Sequence, residues 1–389
     1  MEIKMLEAAW KRAAGSKRMY EDLRKFLLAF GIISTCFFLV SCEQPSPEGS
    51  QPGIKEESPD SVLFHPLTPE KGEEIEAVYG WLDQDTVLFS SRQKGQDETD
   101  LQKWNWKTNE KKVLYQSNEP FTEVSVNPDQ SYILSTSSES TGHTTIKAFD
   151  RMGKSLCSVT LPAYELTYEW NAYKDDSLFL SVFSKDWSYN SYVLNIEEDR
   201  LQAIEYPQPF AQWDDKENML YLDWRQDEPA LTAPLIKKEV DGGRTETLML
   251  DVVHFRKLKD VLMTIQVETE NRRRATYKFT DESTHKTASM SLPHLDGFSE
   301  WIIPYYDFNE QIKEFLTFVP EKTDNIDVYD GKFNLLKFNW QTGKRTELLK
   351  GMENEPISCS SDERFCLYGK KYEKLIDLKT GGVRQLIKK

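Results

Sequence analysis

Histidine is scarce in this chain. The five present (His65, His143, His254, His285 and His294) are scattered through 389 residues, and none has a neighbour at metal-ligand spacing. A structural metal is therefore not expected, and no cofactor is called for. Also missing are a Gly-x-Ser-x-Gly elbow, a His-Glu-x-x-His helix and a Gly-rich phosphate loop, so no catalytic residue is assigned from a linear motif. Asp327-Val328-Tyr329-Asp330-Gly331 starts like a calcium loop but lacks the third acidic position and the distant Glu, and reads as a turn. There is no heptad run and no Gly-x-y repeat, which excludes coiled coil and collagen. One long apolar segment is present, too few for a multi-span membrane protein.

Positive charge is in short supply beyond the N-terminus. The formal charge is −15, but residues 1–41 hold 7 basic and 4 acidic side chains, leaving 42 basic against 60 acidic and a net of −18. An acidic body repels phosphate backbones, so nucleic acid is not an expected partner. A charged partner of the body should be cationic. Arg272-Arg273-Arg274 is the one basic cluster, short enough to be a solvated loop.

The apolar run is residues 26–40, fifteen uncharged and mostly apolar positions after Arg24 and Lys25. A membrane span needs about 20 residues, a signal-peptide core about 7–15 with a basic flank. Leu39-Val40-Ser41-Cys42 follows, and it resembles a bacterial lipobox. A small Ser41 would admit the peptidase, and the Cys42 thiol would take the diacylglycerol. Residues 1–41 are thus expected to be a signal helix, with Met19 an alternative start. Residues 42–60 form a lipidated, disordered tether: positions 43–60 carry four Pro, two Gly and three Ser and cannot build a core. The expected location is the outer face of the cell membrane, held by lipid, with the body a monomer at 61–389.

In the body the dominant hydrophobic period is two. Residues 307–315 offer the one mild helical pattern. A turn of one class recurs at 104–110, 148–154, 194–200, 238–244, 279–283, 338–344 and 376–382, and the turn starts near 107, 150, 196, 240, 280, 340 and 378 are spaced by 43, 46, 44, 40, 60 and 38 residues. About 40–45 residues is the length of a four-stranded propeller blade. The fold expected is all-β, a propeller of seven four-stranded blades by turn count, with six as the alternative. The segment 61–64 would close the ring against the last blade.

A second hairpin precedes each recurring turn. Aligning these hairpins places Trp81, Val126, Trp170, Trp213, Phe255, Trp301 and Cys359 in one column, which would fill the gaps between sheets. The residues just before the column, Glu169, Gln212, His254 and Glu300, are the candidates for a site at the channel mouth. Cys359 and Cys366 flank a turn at a spacing that sets them opposite each other, so a disulfide is possible in an oxidising compartment. Cys157 has no sequence-local partner.

The lipobox, the tether and hairpins such as Trp81-Leu82-Asp83-Gln84-Asp85-Thr86-Val87-Leu88-Phe89 and Asn127-Pro128-Asp129-Gln130-Ser131-Tyr132-Ile133-Leu134 resemble those of propeller lipoproteins of Gram-positive bacilli, the YqgU-like lipoproteins in particular. That resemblance implies a six-bladed propeller, one fewer than the turn count, and carries over no activity and no functional residue. Two functions remain in view. One is a membrane-anchored, non-catalytic binding or scaffolding module for a protein or cell-envelope ligand. The other is a propeller hydrolase or lyase acting on cell-wall or extracellular polymer.

Overall fold

The computed structural model describes residues 64–388, apart from 140–141, 225–229, 268–272 and 298–300. Cys42, the tether, residues 61–63 and Glu300 therefore lie outside the described residues. Seven four-stranded antiparallel sheets follow one another along the chain. They are blade 1 (73–117), blade 2 (121–162), blade 3 (165–204), blade 4 (212–252), blade 5 (254–293), blade 6 (306–352) and blade 7 (357–385). The first strands of successive blades meet one another, blades 2 and 3 through Ser125 and Trp170 and blades 5 and 6 through His254 and Tyr306, and the first strand of blade 1 meets that of blade 7, so the sheets form a closed ring, a β-propeller.

Burial follows position in the blade. Second strands lie between neighbouring sheets and read as continuous apolar runs, such as Ser177–Phe183, buried at every position. Fourth strands form the rim, and Thr245–Val252 is exposed along most of its length. Between blades 5 and 6 the core is aromatic. Phe279 stacks on Trp340 with ring centroids 5.9 Å apart and packs against Phe315 and Phe338.

The recurring turns all join third to fourth strands. Six of the seven third strands end in Asn or Asp: Asn105, Asp150, Asn195, Asp281, Asn339 and Asp377. Each side chain accepts from backbone N–H groups two to four residues on, satisfying donors that the turn leaves unpaired. The next residue then ties the turn to the blade's first hairpin. Trp106 donates to Asp85, Ile196 to Asp176, Val240 to Glu217, Trp340 to Lys313 and Leu378 to Arg364. Both turns of a blade thus share one face of the ring.

One local expectation changes, and two further features complete the ring. Residues 307–315 are not helical: Tyr306–Asn309 pairs with Glu314–Pro320 as a hairpin. The 60-residue interval is not an extra blade. Blade 6 carries a long loop holding the short 3-10 helix Ile326–Val328, and Asp324–Asn325 in that loop pairs in parallel with Leu295–Asp296. Closure is made at Leu67, whose N–H donates to Leu386 O at 2.8 Å and whose carbonyl accepts from Lys388 N at 2.9 Å. Phe64 sits beside Trp104 and Trp106 of blade 1, under the Arg384 guanidinium of blade 7.

Candidate functional site

The channel is lined by the seven first strands, and hairpin register fixes which residues stand level around it. In blade 4, Trp213 pairs with Met219 just before the turn; in blade 3, Trp170 pairs with Leu178. By the same rule blade 5 contributes Lys257, paired with Leu262, and blade 6 contributes Phe308, paired with Phe315. Phe255 and Trp301 leave the expected column. The blade 5 turn is tight, with Leu258 N donating to Val261 O, so an alignment on its aromatic residue slips by two positions. Trp301 belongs to the connection between blades, where it bridges Asp296 and donates its indole N–H to Leu231 O.

Glu169 reaches past blade 4 to Arg256 of blade 5, Oε2 to Nη1 at 3.1 Å. His254, 8% exposed, has Nε2 2.8 Å from the Tyr306 hydroxyl of blade 6. Gln212 is buried; its Oε1 accepts from Lys257 N at 2.7 Å and its Nε2 donates to Phe255 O, so it staples two first strands together. Of the named candidates, the structure brings Glu169 and His254 to the part of the ring where blades 3, 5 and 6 meet the channel.

Sequence reading missed Arg256, Tyr306 and Asp307. The rule that picked the candidates, the position just before the column, selects Arg256 and Asp307 once the register of blades 5 and 6 is right. Burial pushes the Asp307 carboxyl up to about 7, against hydrogen bonds from the backbone N–H groups of Cys359 and Phe308. In blade 2, burial pushes Glu123 up to about 6, with the Tyr168 hydroxyl pulling the other way. Burial thus raises carboxyls on the first strands of blades 2 and 6 above the usual carboxylate range.

The indoles of the column show a repeat and one exception. Trp81 Nε1 donates to Ser358 O of the preceding blade at 2.9 Å, and Trp170 Nε1 to Ser125 Oγ at 3.2 Å. Ser358 and Ser125 each stand just before the column. Trp213, 5% exposed, has no partner for Nε1 among the described residues. The residue in its acceptor position is Glu169.

Cys359 and Cys366 are cross-strand partners in blade 7, with Cα atoms 3.9 Å apart and their sulfurs bonded. Cys157 is a buried free thiol pushed up to about 12, by burial first and then by Asp199. Between blades 6 and 7, Glu314 and Glu363 share Lys337, at 2.6 and 3.7 Å. Burial and the neighbouring Glu314 carboxyl raise Glu363. Among the described residues no three His, Cys, Asp or Glu side chains converge as metal ligands would.

Residues 105–369 match the YqgU-like 6-bladed beta propeller domain. The chain belongs to the YqgU-like propeller family. The matched stretch begins at the end of the third strand of blade 1 and stops just beyond the second strand of blade 7, so it holds blades 2–6 whole. This YqgU-like ring has seven blades where the family description has six. The chain is 25% identical over 351 residues to the uncharacterized lipoprotein YqgU of Bacillus subtilis (strain 168), covering 90% of this chain and 94% of that protein. Among solved structures it is similar to the uncharacterized protein lmo1340 of Listeria monocytogenes EGD-e, with a TM-score of 0.75 and 24% identity over 84% of this chain and 98% of that one. An oligogalacturonate lyase in complex with manganese matches at a TM-score of 0.53 and 10% identity, over 76% of this chain and 86% of that one. These two likenesses are of fold alone.

Proposed function

We propose that the chain is a lipoprotein acylated on Cys42, with its propeller held outside the membrane as a non-catalytic recognition module. The recognition surface is the channel around Glu169, Arg256, His254 and Tyr306. The observation that carries this reading is the pairing there: Glu169 is spanned by Arg256 and His254 by Tyr306, so the strongest groups hold each other instead of standing as an aligned acid and base. The lipoprotein relative supports the anchor, and a Pro-rich tether lets a rigid ring search the space beside the membrane. In that compartment the Cys359–Cys366 bond stays oxidised.

A second reading, a hydrolase or lyase of envelope polymer, draws on Asp307, whose raised carboxyl could act as a general acid. Two experiments decide. Changing Cys42 to Ala should leave an uncleaved precursor or release the protein; acyl-free Cys42 in membrane-bound mature protein would refute the anchor. Incubating the full chain with wall glycans, peptides and esters, with and without divalent metal, should give retention without turnover. Turnover abolished by Ala at Glu169, His254, Glu300 or Asp307 would replace the recognition module with an enzyme.

A further inference from the structure

We infer that Glu314 and Glu363 share a single proton across the junction of blades 6 and 7, and that loss of this proton releases the first hairpin of blade 7 from blade 6. The latch stands apart from the channel and does not depend on what the channel binds. Three observations meet at this junction. The Glu363 side chain is 5% exposed, and neither of its carboxyl oxygens meets an N–H or O–H donor among the described residues. The carboxyl of Glu314, which opens the second strand of blade 6, lies within hydrogen-bond reach of it. One cation serves both: Lys337 Nζ is 2.6 Å from Glu314 Oε2 and 3.7 Å from Glu363 Oε2. Two carboxylates and one ammonium leave an excess negative charge in a buried place, which is costly. A proton held between the carboxyls cancels that charge and supplies the missing hydrogen bond.

The other charges nearby do not relieve it. Asp307, on the first strand of blade 6, adds to the repulsion. Within the hairpin, Asp362 Oδ1 accepts from Ser360 Oγ and Arg364 N, and the Arg364 guanidinium lies over Phe365, 5.2 Å from the ring centre. Asp377, on the third strand of blade 7, caps its own turn. Burial and the Glu314 carboxyl outweigh Lys337 and hold Glu363 above the ordinary glutamate range. Blade 7 is where such a group can move the structure, because none of its strands exceeds four residues. Blade 6 grips its first hairpin through Asn309 Nδ2, which donates to Ser361 O at 2.9 Å, and Asp307 Oδ2, which accepts from Cys359 N at 2.6 Å. Blade 2 has the same turn with an uncharged residue: Gln130, at φ +64°, donates its N–H to Asn127 O as Glu363, at φ +51°, donates to Ser360 O. Once the hairpin swings into water, Glu363 returns to about 4.3. Opening therefore releases a proton and becomes more favourable as pH rises toward the closed-state value.

Amide hydrogen exchange of the full chain in detergent micelles, corrected for intrinsic base catalysis, reads the opening. Between about pH 5 and 7, protection of the hairpin 357–368 should fall about tenfold per pH unit more steeply than in Glu363→Gln. That variant puts the blade 2 side chain in the same turn, so it folds and keeps the latch shut at every pH. Hairpin protection should stay below that of Ser177–Phe183 in blade 3, because the hairpin opens while the ring stays folded. Glu314→Gln should shrink the excess slope, since no carboxylate is left to share the proton. Infrared difference spectra at neutral pH should show an un-ionised carboxylic acid that Glu363→Gln removes, a signal that packing alone does not produce. Equal slopes in wild type and Glu363→Gln, or an acid signal that survives the substitution, would overturn the shared proton. Hairpin protection equal to that of blade 3 would overturn the latch.

Discussion

Asp281 shows how one side chain can hold two blades. It is 1% exposed at the end of a third strand, and its Oδ1 caps its own turn through Thr284 N and Ser283 Oγ. Its Oδ2 accepts from Trp340 Nε1 at 3.1 Å and Gln341 Nε2 at 2.6 Å, both of blade 6. Burial acts to raise its pKa, but these hydrogen bonds outweigh it and hold the carboxyl well below the usual range. Its contribution to stability is present above the unfolded pKa of about 4 and fades only in stronger acid. Asp281→Asn turns an amide toward two donors, so a loss of about 2–3 kcal/mol is expected in urea unfolding at pH 7. His294 and Asp307 pull in opposite directions. Burial lowers His294 to about 4, so between pH 6.5 and 4 the unfolded chain binds a proton that the folded one refuses, and stability falls as pH drops through that window. Asp307, raised to about 7, is protonated when folded and ionised when unfolded between about pH 4 and 7, so its contribution is lost as pH rises. Asp307→Asn should raise the urea midpoint at pH 7.5 and leave it near wild type at pH 4. His294→Gln should remove the acid-side decline. Unchanged pH profiles in both variants would contradict these assignments.

At the scale of elements, the blade is specified by short-range chemistry. A two-residue period recurs in the repeats and an Asx-capped turn follows the third strand in six of the seven, which is why the 40–45-residue rhythm could be read directly. Register was harder, because a hairpin with a shorter turn, as in 257–262, presents an aromatic side chain on the same face two residues early. Blade 6 was obscured by its long loop, whose parallel pairing with Leu295–Asp296 leaves no local pattern. Contact between blades also depends on the turns. Gly153 has φ +88°, and a Cβ there would lie 2.3 Å from Leu114 O on the rim strand of blade 1. Gly153→Ala should therefore cost about 2 kcal/mol, through both backbone strain and the clash. A urea midpoint equal to wild type would show that the turn can move away from blade 1.

For the whole molecule, closure of the ring is the decisive event. A single blade exposes apolar faces on both sides, and only neighbours cover them. Blades 1 and 7 meet through Trp81 and Ser358 on the channel side and through fully buried Leu67 beside Ile387 at the ends of the body. Leu67→Asp puts a charge into that closure. Amide exchange should accelerate in Gly382–Gln385 and in blade 1, while blades 3 and 4 stay protected; protection unchanged near residues 382–388 would mean that the ring closes without Leu67.

The repeat was legible from residues close together in the chain, because a two-residue alternation and an Asx turn each act within ten or so positions. The channel was not. Glu169 and Arg256 stand 87 residues apart, and nothing near either one names the other. Their pairing, the missing acceptor of Trp213 and the raised carboxyl of Asp307 exist only because seven sheets close on one axis. Closure brings side chains from non-neighbouring blades within hydrogen-bond reach and removes the water that would otherwise satisfy them.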